Sequence, residues 1–401
     1  MSLTQQTPVD YRSEAPFPSQ SGPPTTAPDC AAEDHTAPAT NLHGGGTAAM
    51  TSRERILAAI NHEEADRVAI HDGPWATTVR RWREEGLPEG QSPAEHFGFE
   101  FRTFSGDSSL RLDTEVIEET DEYNVVTTGD GATRKNWRNA TSTPELIDFS
   151  ITTRRKWEEV RPRMEMCDER VSWEDGLRAN RAATDQSFFR VWTCGPGFTR
   201  VCNRVGPERL LIAMVEEPEW AKDMFMTDAR LCAAIAEEMM TRGFVFDAGW
   251  VMDDLGYKHR GFFSPAQYRD LLMPAHRLIC DVLKARGLPM LLHSCGYVTE
   301  FIPDFIECGF DVIQPLEVKA GNDMLALKRE FGDTVAFMGG IDVRAMADPD
   351  PSVIEREIAA KLPVMKQGGG YIYHSDHSVP DNVSFEQYQR VMELVAEHGQ
   401  Y

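Results

Sequence analysis

The sequence predicts an α/β protein built as a single (β/α)8 TIM barrel. Three observations carry that prediction. Beyond residue 50, about eight short apolar runs alternate with helical patterns. No Gly-x-Gly-x-x-Gly follows the first run, which tells against an open dinucleotide-type sheet. Reactive side chains collect at the carboxyl ends of the runs, where a barrel builds its active site.

Residues 1–50 stand apart. They hold seven prolines, the run Gly44-Gly45-Gly46 and few branched apolar residues, so they cannot bury enough surface to offset chain entropy. A disordered tail is expected there, with the barrel domain spanning 51–401. Thr51-Ser52-Arg53-Glu54 is a capping box, and Ile56, Leu57 and Ile60 follow at helical spacing. Strands are expected at Arg67–His71, Glu100–Phe104, Phe189–Thr193, Ala248–Met252, Met290–His293, Val312–Pro315, Val335–Met338 and Gly370–His374. Helices are expected from Pro207 past Cys232, and at Pro265–Arg286, Val298–Cys308, Asn322–Phe331, Pro351–Gln367 and Ser384–His398. Residues 110–150 break the rhythm. They read as a hairpin turning at Gly129-Asp130-Gly131, inserted over the barrel mouth.

Composition narrows the function. The chain has 401 residues, 41 Lys+Arg against 64 Asp+Glu and a formal net charge of −23, which argues against nucleic acid or an anionic membrane as partner. No run of 18 apolar residues occurs, so no transmembrane helix is expected, and the first residues lack the pattern of a secretory signal. Eight cysteines in so long a chain are too sparse for a disulfide scaffold and point to a reducing cytoplasm.

Of the strand-end residues, Leu291-Leu292-His293-Ser294-Cys295-Gly296 is the sharpest group. His293 and Cys295, two apart and leaving a strand, can aim imidazole and thiolate at one point, a donor pair that suits Zn2+. Spacing alone leaves a buried thiol and a hydrogen-bonded histidine as the alternative. Gly368–Pro380 supplies His374 at a strand end and His377 in the loop beyond, either of which can add a third ligand. Met252-Asp253-Asp254-Leu255-Gly256-Tyr257 places two adjacent carboxylates, one suited to binding or acid–base work and the other to capping the turn. Glu317 and Asp342 occupy comparable strand ends. Near the first strand His71, Trp75 and Arg80, with Tyr257 from the later loop, are candidates to bind a small-molecule substrate.

In ensemble these stretches resemble the uroporphyrinogen decarboxylase superfamily. The residues that carry the resemblance are Thr51–Val68, Asp253-Asp254-Leu255-Gly256 with Phe262-Phe263-Ser264-Pro265, Leu291–Gly296, and Gly369-Gly370-Tyr371-Ile372-Tyr373-His374 with Val379-Pro380, in order across 51–401. The resemblance implies a (β/α)8 barrel. It also implies one of two chemistries: metal-free decarboxylation, or zinc-dependent methyl transfer to or from a corrinoid protein. True decarboxylases carry an Arg-rich segment of the type Met-Arg-Gln-Ala-Gly-Arg after the first strand; here His71-Asp72-Gly73-Pro74-Trp75 stands in that place. The zinc branch carries His-x-Cys, matched by His293 and Cys295, and a late Cys whose place is taken here by His377. By resemblance, then, His293, Cys295 and His377 would hold zinc. Asp253, Asp254, Glu317 and His374 would do acid–base or orienting work. The corrinoid (cobalamin) would arrive on a partner protein, since no Asp-x-His-x-x-Gly stretch occurs in the chain. Members of the family are often homodimers. A decarboxylase and a non-catalytic small-molecule-binding barrel are the alternatives.

Overall fold

The computed structural model describes residues 50–138 and 144–401. The tail expected over 1–50 lies outside the described residues except for Met50. From Thr51 the chain follows its local signals closely. Thr51 accepts the Glu54 N–H at 3.2 Å while its own N–H donates to the Glu54 carboxylate at 2.8 Å, starting the helix α1 (Ser52–Ile60).

Eight barrel strands follow: β1 (Ala69–Ile70), β2 (Phe101–Phe104), β3 (Phe189–Cys194), β4 (Ala248–Met252), β5 (Met290–His293), β6 (Val312–Gln314), β7 (Ala336–Met338) and β8 (Tyr371–Tyr373). Each lies within a residue or two of its expected position. All neighbours pair in parallel, in the order β1-β8-β7-β6-β5-β4-β3-β2. The two ends meet where the Glu100 N–H donates to the Ile70 carbonyl at 2.9 Å. Alternate residues of all eight strands form one apolar interior: Ala69, Phe101, Phe189 and Val191, Ala248 and Trp250, Leu291, Val312, Ala336 and Met338, and Ile372. Ile56, Ala59 and Ile60 of α1 close its lower end.

Buried acids clasp that lower end. Glu100 accepts the Ile70 N–H at 2.6 Å and bonds the Arg55 guanidinium, joining β1 to β2. Asp247 accepts the Arg190 N–H at 2.9 Å and two guanidinium N–H groups of the same residue. Asp311 accepts the Met290 N–H at 2.7 Å. Each acid precedes an even-numbered strand and ties down the odd-numbered strand before it.

The insertion between β2 and β3 is larger than the expected hairpin. Strands Val116–Glu119, Tyr123–Thr127, Ala132–Trp137 and Glu145–Phe149 form a four-stranded antiparallel meander, and the predicted hairpin is its central pair. Its outer strands went unread because their exposed residues lack the alternation that marks a half-buried strand. Asp130, in the central turn, accepts from Arg200 at 2.9 Å and Arg204 at 2.8 Å, fastening the meander to the helix Phe198–Val205 that follows β3. Among the described residues no helix is long and apolar enough to cross a membrane.

Candidate active site and metal centre

The strand alternation that buries Leu291, Val312, Ile372 and Ala69 carries His293, Gln314, His374 and His71 to the same inner face two residues later, at the mouth. The loops leaving β4 and β5 then close over this layer. They touch through glycines: a Cβ on Gly256 would lie 2.5 Å from the Cys295 carbonyl oxygen, and one on Gly296 would lie 2.2 Å from the Gly256 carbonyl carbon. Gly296 also holds a φ of 78°. Hydrogen bonds lock the crossing, from the Gly256 N–H to the Cys295 carbonyl at 3.1 Å and from the Tyr297 N–H to the Tyr257 carbonyl at 2.9 Å.

Among the described residues, one group of potential metal donors converges: Asp254, His293 and Cys295, with one ligand atom of each within 4.8 Å of the others. His293 Nε2 lies 3.3 Å from Cys295 Sγ and 3.3 Å from Asp254 Oδ1. Burial pushes the Cys295 thiol well above its ordinary range, and the Asp254 and Glu317 carboxylates push the same way. Burial also opposes charge on His293 and on Asp254, but their mutual attraction wins: the imidazole is raised and the carboxyl lowered. Nitrogen, sulfur and carboxylate oxygen from three side chains form a donor set that suits Zn2+ and leaves a coordination position open.

The expected third ligand was His377, and the third donor in this group is Asp254. His377 lies outside the converging group. Its ring stacks on Trp75 at 6.3 Å and 8° between planes, with Nδ1 3.4 Å from the Ser378 carbonyl. The adjacent acids Asp253 and Asp254 divide as chain geometry requires. Asp254 faces the donors, whereas Asp253 turns back to accept the Phe198 and Thr199 N–H groups at 3.0 and 2.7 Å, capping a helix. His276 Nε2 holds the same carboxylate at 3.0 Å. Asp253 therefore braces the helix Phe198–Val205, and both its oxygens accept hydrogen bonds there.

The remaining candidates separate likewise. Glu317 accepts the Gly296 N–H at 2.7 Å and pairs with Lys319 at 3.2 Å, bracing the Cys295 loop. His374 has both nitrogens engaged, Nδ1 on the Ser375 carbonyl at 2.6 Å and Nε2 on the Gln314 amide at 3.4 Å. His71 stacks on Phe101 at 4.6 Å, and its Nδ1 is buried without a hydrogen-bond partner. Burial drives this imidazole well below its ordinary value, with His374 and Arg102 adding to the effect. Tyr257 lies exposed on a two-stranded ribbon with Arg260. The other two substrate candidates are held on helices. Arg80 is exposed on the helix Ala76–Glu85, and Asp342 caps Val343–Met346 while paired to Arg344 at 2.7 Å.

Gln314 went unread in the sequence, and two acids recognised at strand ends, Asp72 and Asp376, were given no role there. Gln314 bonds His293 Nδ1 through its side-chain oxygen. Asp72, buried behind His374, accepts from Ser375 Oγ at 2.5 Å and from the Tyr388 hydroxyl at 2.7 Å. Asp376, raised to about 7 chiefly by burial, accepts the Val318 and Val343 N–H groups at 2.8 and 2.9 Å, joining the loops after β6 and β7. The signal available for Gln314 was its place two residues beyond an inward-facing Val312.

Comparison with known proteins places this geometry. A family model described as uroporphyrinogen decarboxylase (URO-D) matches residues 191–398, which include every donor named above. Uroporphyrinogen decarboxylases from Pectobacterium atrosepticum and from Pectobacterium carotovorum subsp. carotovorum are each 28% identical over 127 residues, 31% of this chain. That match spans 34% of the length of each of these curated relatives, about a third. Among solved structures, a methyltransferase from Methanosarcina mazei superposes with a TM-score of 0.62 over 86% of this chain and 98% of that one, at 15% identity, a likeness of fold.

Proposed function

Because the chain belongs to the uroporphyrinogen decarboxylase family, and because its barrel mouth gathers three metal donors, we propose that it is a zinc-dependent methyltransferase. The methyl group moves between a small uncharged substrate and a corrinoid carried by a partner protein. The single observation behind this reading is the convergence of Asp254, His293 and Cys295 within 4.8 Å. The Methanosarcina mazei methyltransferase supports the fold on which such chemistry can rest.

Bound zinc would supply Lewis acidity toward the heteroatom that carries the methyl group. The protein's own residues do the remaining work. His293 presents Nε2 to the donor cluster because Gln314 holds its Nδ1. Cys295 keeps its proton until a cation compensates the burial of a thiolate. Glu317, on the Gly296 N–H, holds the Cys295 loop in register.

Two rings at and just below the mouth bear on the substrate's charge. Neutral His71 and the Trp250 indole, with ring centroids 6.1 Å apart, each carry a buried ring nitrogen lacking a partner, Nδ1 and Nε1. Such groups recognise an uncharged polar atom and offer a carboxylate no counter-charge.

The test is turnover by zinc-loaded protein. Cob(I)alamin would be offered with neutral methoxy or methylthio compounds and with their carboxylated analogues, and methylcobalamin formation followed by absorbance. Methylation of cobalt by the neutral compounds only is expected. Metal-independent release of CO2 from a carboxylated compound, without methyl transfer, would establish the decarboxylase reading instead.

A further inference from the structure

Asp254 lies two residues beyond the end of β4, where the chain is leaving the sheet. Three successive N–H groups there are nonetheless satisfied. Asp253 donates to the His293 carbonyl at 2.9 Å, the last bond of the β4–β5 ladder. The next two acceptors are side chains: Asp254 donates to Thr199 Oγ1 and Leu255 to Ser294 Oγ, each at 2.9 Å. A strand presents successive N–H groups to opposite neighbours, so these two point toward β3 and β5. By that level β3 has turned through Gly195-Pro196-Gly197 into the helix Phe198–Val205, and β5 has ended at His293. Each hydroxyl stands where a ladder carbonyl has run out.

Both hydroxyls are themselves held. The Thr199 and Phe198 N–H groups donate to the Asp253 carboxylate at 2.7 and 3.0 Å. Phe198-Thr199 and Asp253-Asp254 therefore clasp each other through three hydrogen bonds. Ser294 is fully buried between the donors His293 and Cys295, with its N–H on the Gln314 carbonyl at 2.8 Å. With the backbone fixed on both sides, adjacent side chains diverge. Asp253 goes to the helix, and Asp254 Oδ1 reaches the Cys295 N–H at 2.9 Å.

We infer that Thr199 and Ser294 are positioning residues, a pair of hydroxyls that sets the Asp254 backbone and so turns its carboxylate into the donor cluster. This rests on the metal-centre reading given above and deepens it, giving the physical reason why Asp254 rather than Asp253 faces the cluster.

Thr199→Val keeps the branched shape and removes the acceptor, whereas Thr199→Ser keeps the hydroxyl and removes a methyl group. The first readout is amide exchange in metal-free protein, followed by 1H–15N NMR. Thr199→Val should lose protection at Asp254 and, through the Asp254 carboxylate, at Cys295; Thr199→Ser should keep both near the wild type. The second is zinc affinity by competition with a chromophoric chelator. Thr199→Val should lose ~10-fold, the lower end of the range for removing an outer partner of a metal site, and Thr199→Ser should retain most of the affinity. The third is the absorption spectrum with Co2+ in place of zinc. Ligand-field bands should change in Thr199→Val while the thiolate-to-cobalt band of Cys295 persists, because Glu317 holds that loop separately. Should Thr199→Val not fold, Ser294→Ala carries the same test from the β5 side. Wild-type zinc affinity in Thr199→Val would overturn the inference. So would Cys295 protection left unchanged, or equal losses of affinity in Thr199→Val and Thr199→Ser. Failure of the wild type to bind zinc would count against the metal-centre reading alone, because the amide measurement needs no metal.

Discussion

Asp254 accepts the backbone N–H of Cys295 at 2.9 Å through Oδ1, the same oxygen that stands 3.3 Å from His293 Nε2. One carboxylate thus fixes the loop that carries the thiol and neighbours the imidazole, tying three potential donors from two adjacent strand ends into a single unit. The chemistry proposed for this barrel depends on that unit remaining intact.

Removing a donor should remove the ion. Asp254→Asn keeps an oxygen that can accept the Cys295 N–H but loses the charge, so the fold should survive while zinc affinity falls by more than ~100-fold. Chelator competition at constant pH measures this. Unchanged affinity would exclude Asp254 from the site.

Zinc binding should expel protons. The Cys295 thiol lies well above its ordinary range through burial, with Asp254 and Glu317 adding to the shift. The metal therefore competes with a bound proton, and affinity should climb about tenfold per pH unit for each proton displaced. Calorimetry in two buffers of different ionisation heat would count those protons. A count of zero at neutral pH would mean the thiolate is already formed.

The Gly256–Gly296 crossing leaves no room for a side chain. Gly296→Ala would place a methyl group 2.2 Å from the Gly256 carbonyl carbon at a φ of 78°. The β4 and β5 loops would have to separate, costing on the order of 1–3 kcal/mol and moving Asp254 away from Cys295. A lowered melting temperature together with lost metal binding is expected. A stable variant with full metal binding would show that the crossing is dispensable.

Asp130 should give acid stability a defined window. Burial pushes its carboxyl up, but Arg204 and Arg200 outweigh this and hold it at about 2, against 3.8 ordinarily. The unfolded chain thus binds the proton more readily, so stability rises with pH across this interval. The contribution, about 2 kcal/mol by linkage, is complete above pH ~4 and is lost as pH falls toward 2. Urea unfolding from pH 5 downward should show that slope in the wild type and a shallower one in Asp130→Asn.

Glu100 closes the barrel by taking the Ile70 N–H at 2.6 Å and the buried Arg55 guanidinium. Glu100→Gln removes one of that arginine's two carboxylate partners, Asp66 keeping the other at 2.6 Å, and should cost about 2 kcal/mol, read as a lower urea midpoint with the metal site unchanged.

What could be read in the sequence divides by physical range. The eight strands, the capping box at Thr51 and the turn at Asp130 are local signals, and each lies where its residues place it. His293 and Cys295 are two apart on one strand end, so their convergence was also local. The third donor was not. Asp254 and His377 are equally plausible by residue type, and only the loop crossing at Gly256 and Gly296 brings the former against Cys295. Gln314 was harder still, because an amide carries no ligand chemistry of its own. Its role comes from lying opposite His293 in the β5–β6 register and facing His374 across the mouth.

The most direct test of the central claim is metal content. Elemental analysis of purified wild-type protein beside Cys295→Ser should find close to one equivalent of zinc in the wild type and little in the variant. Absence of metal from both, even after reconstitution with zinc, would contradict the metal centre and the methyl-transfer chemistry built on it.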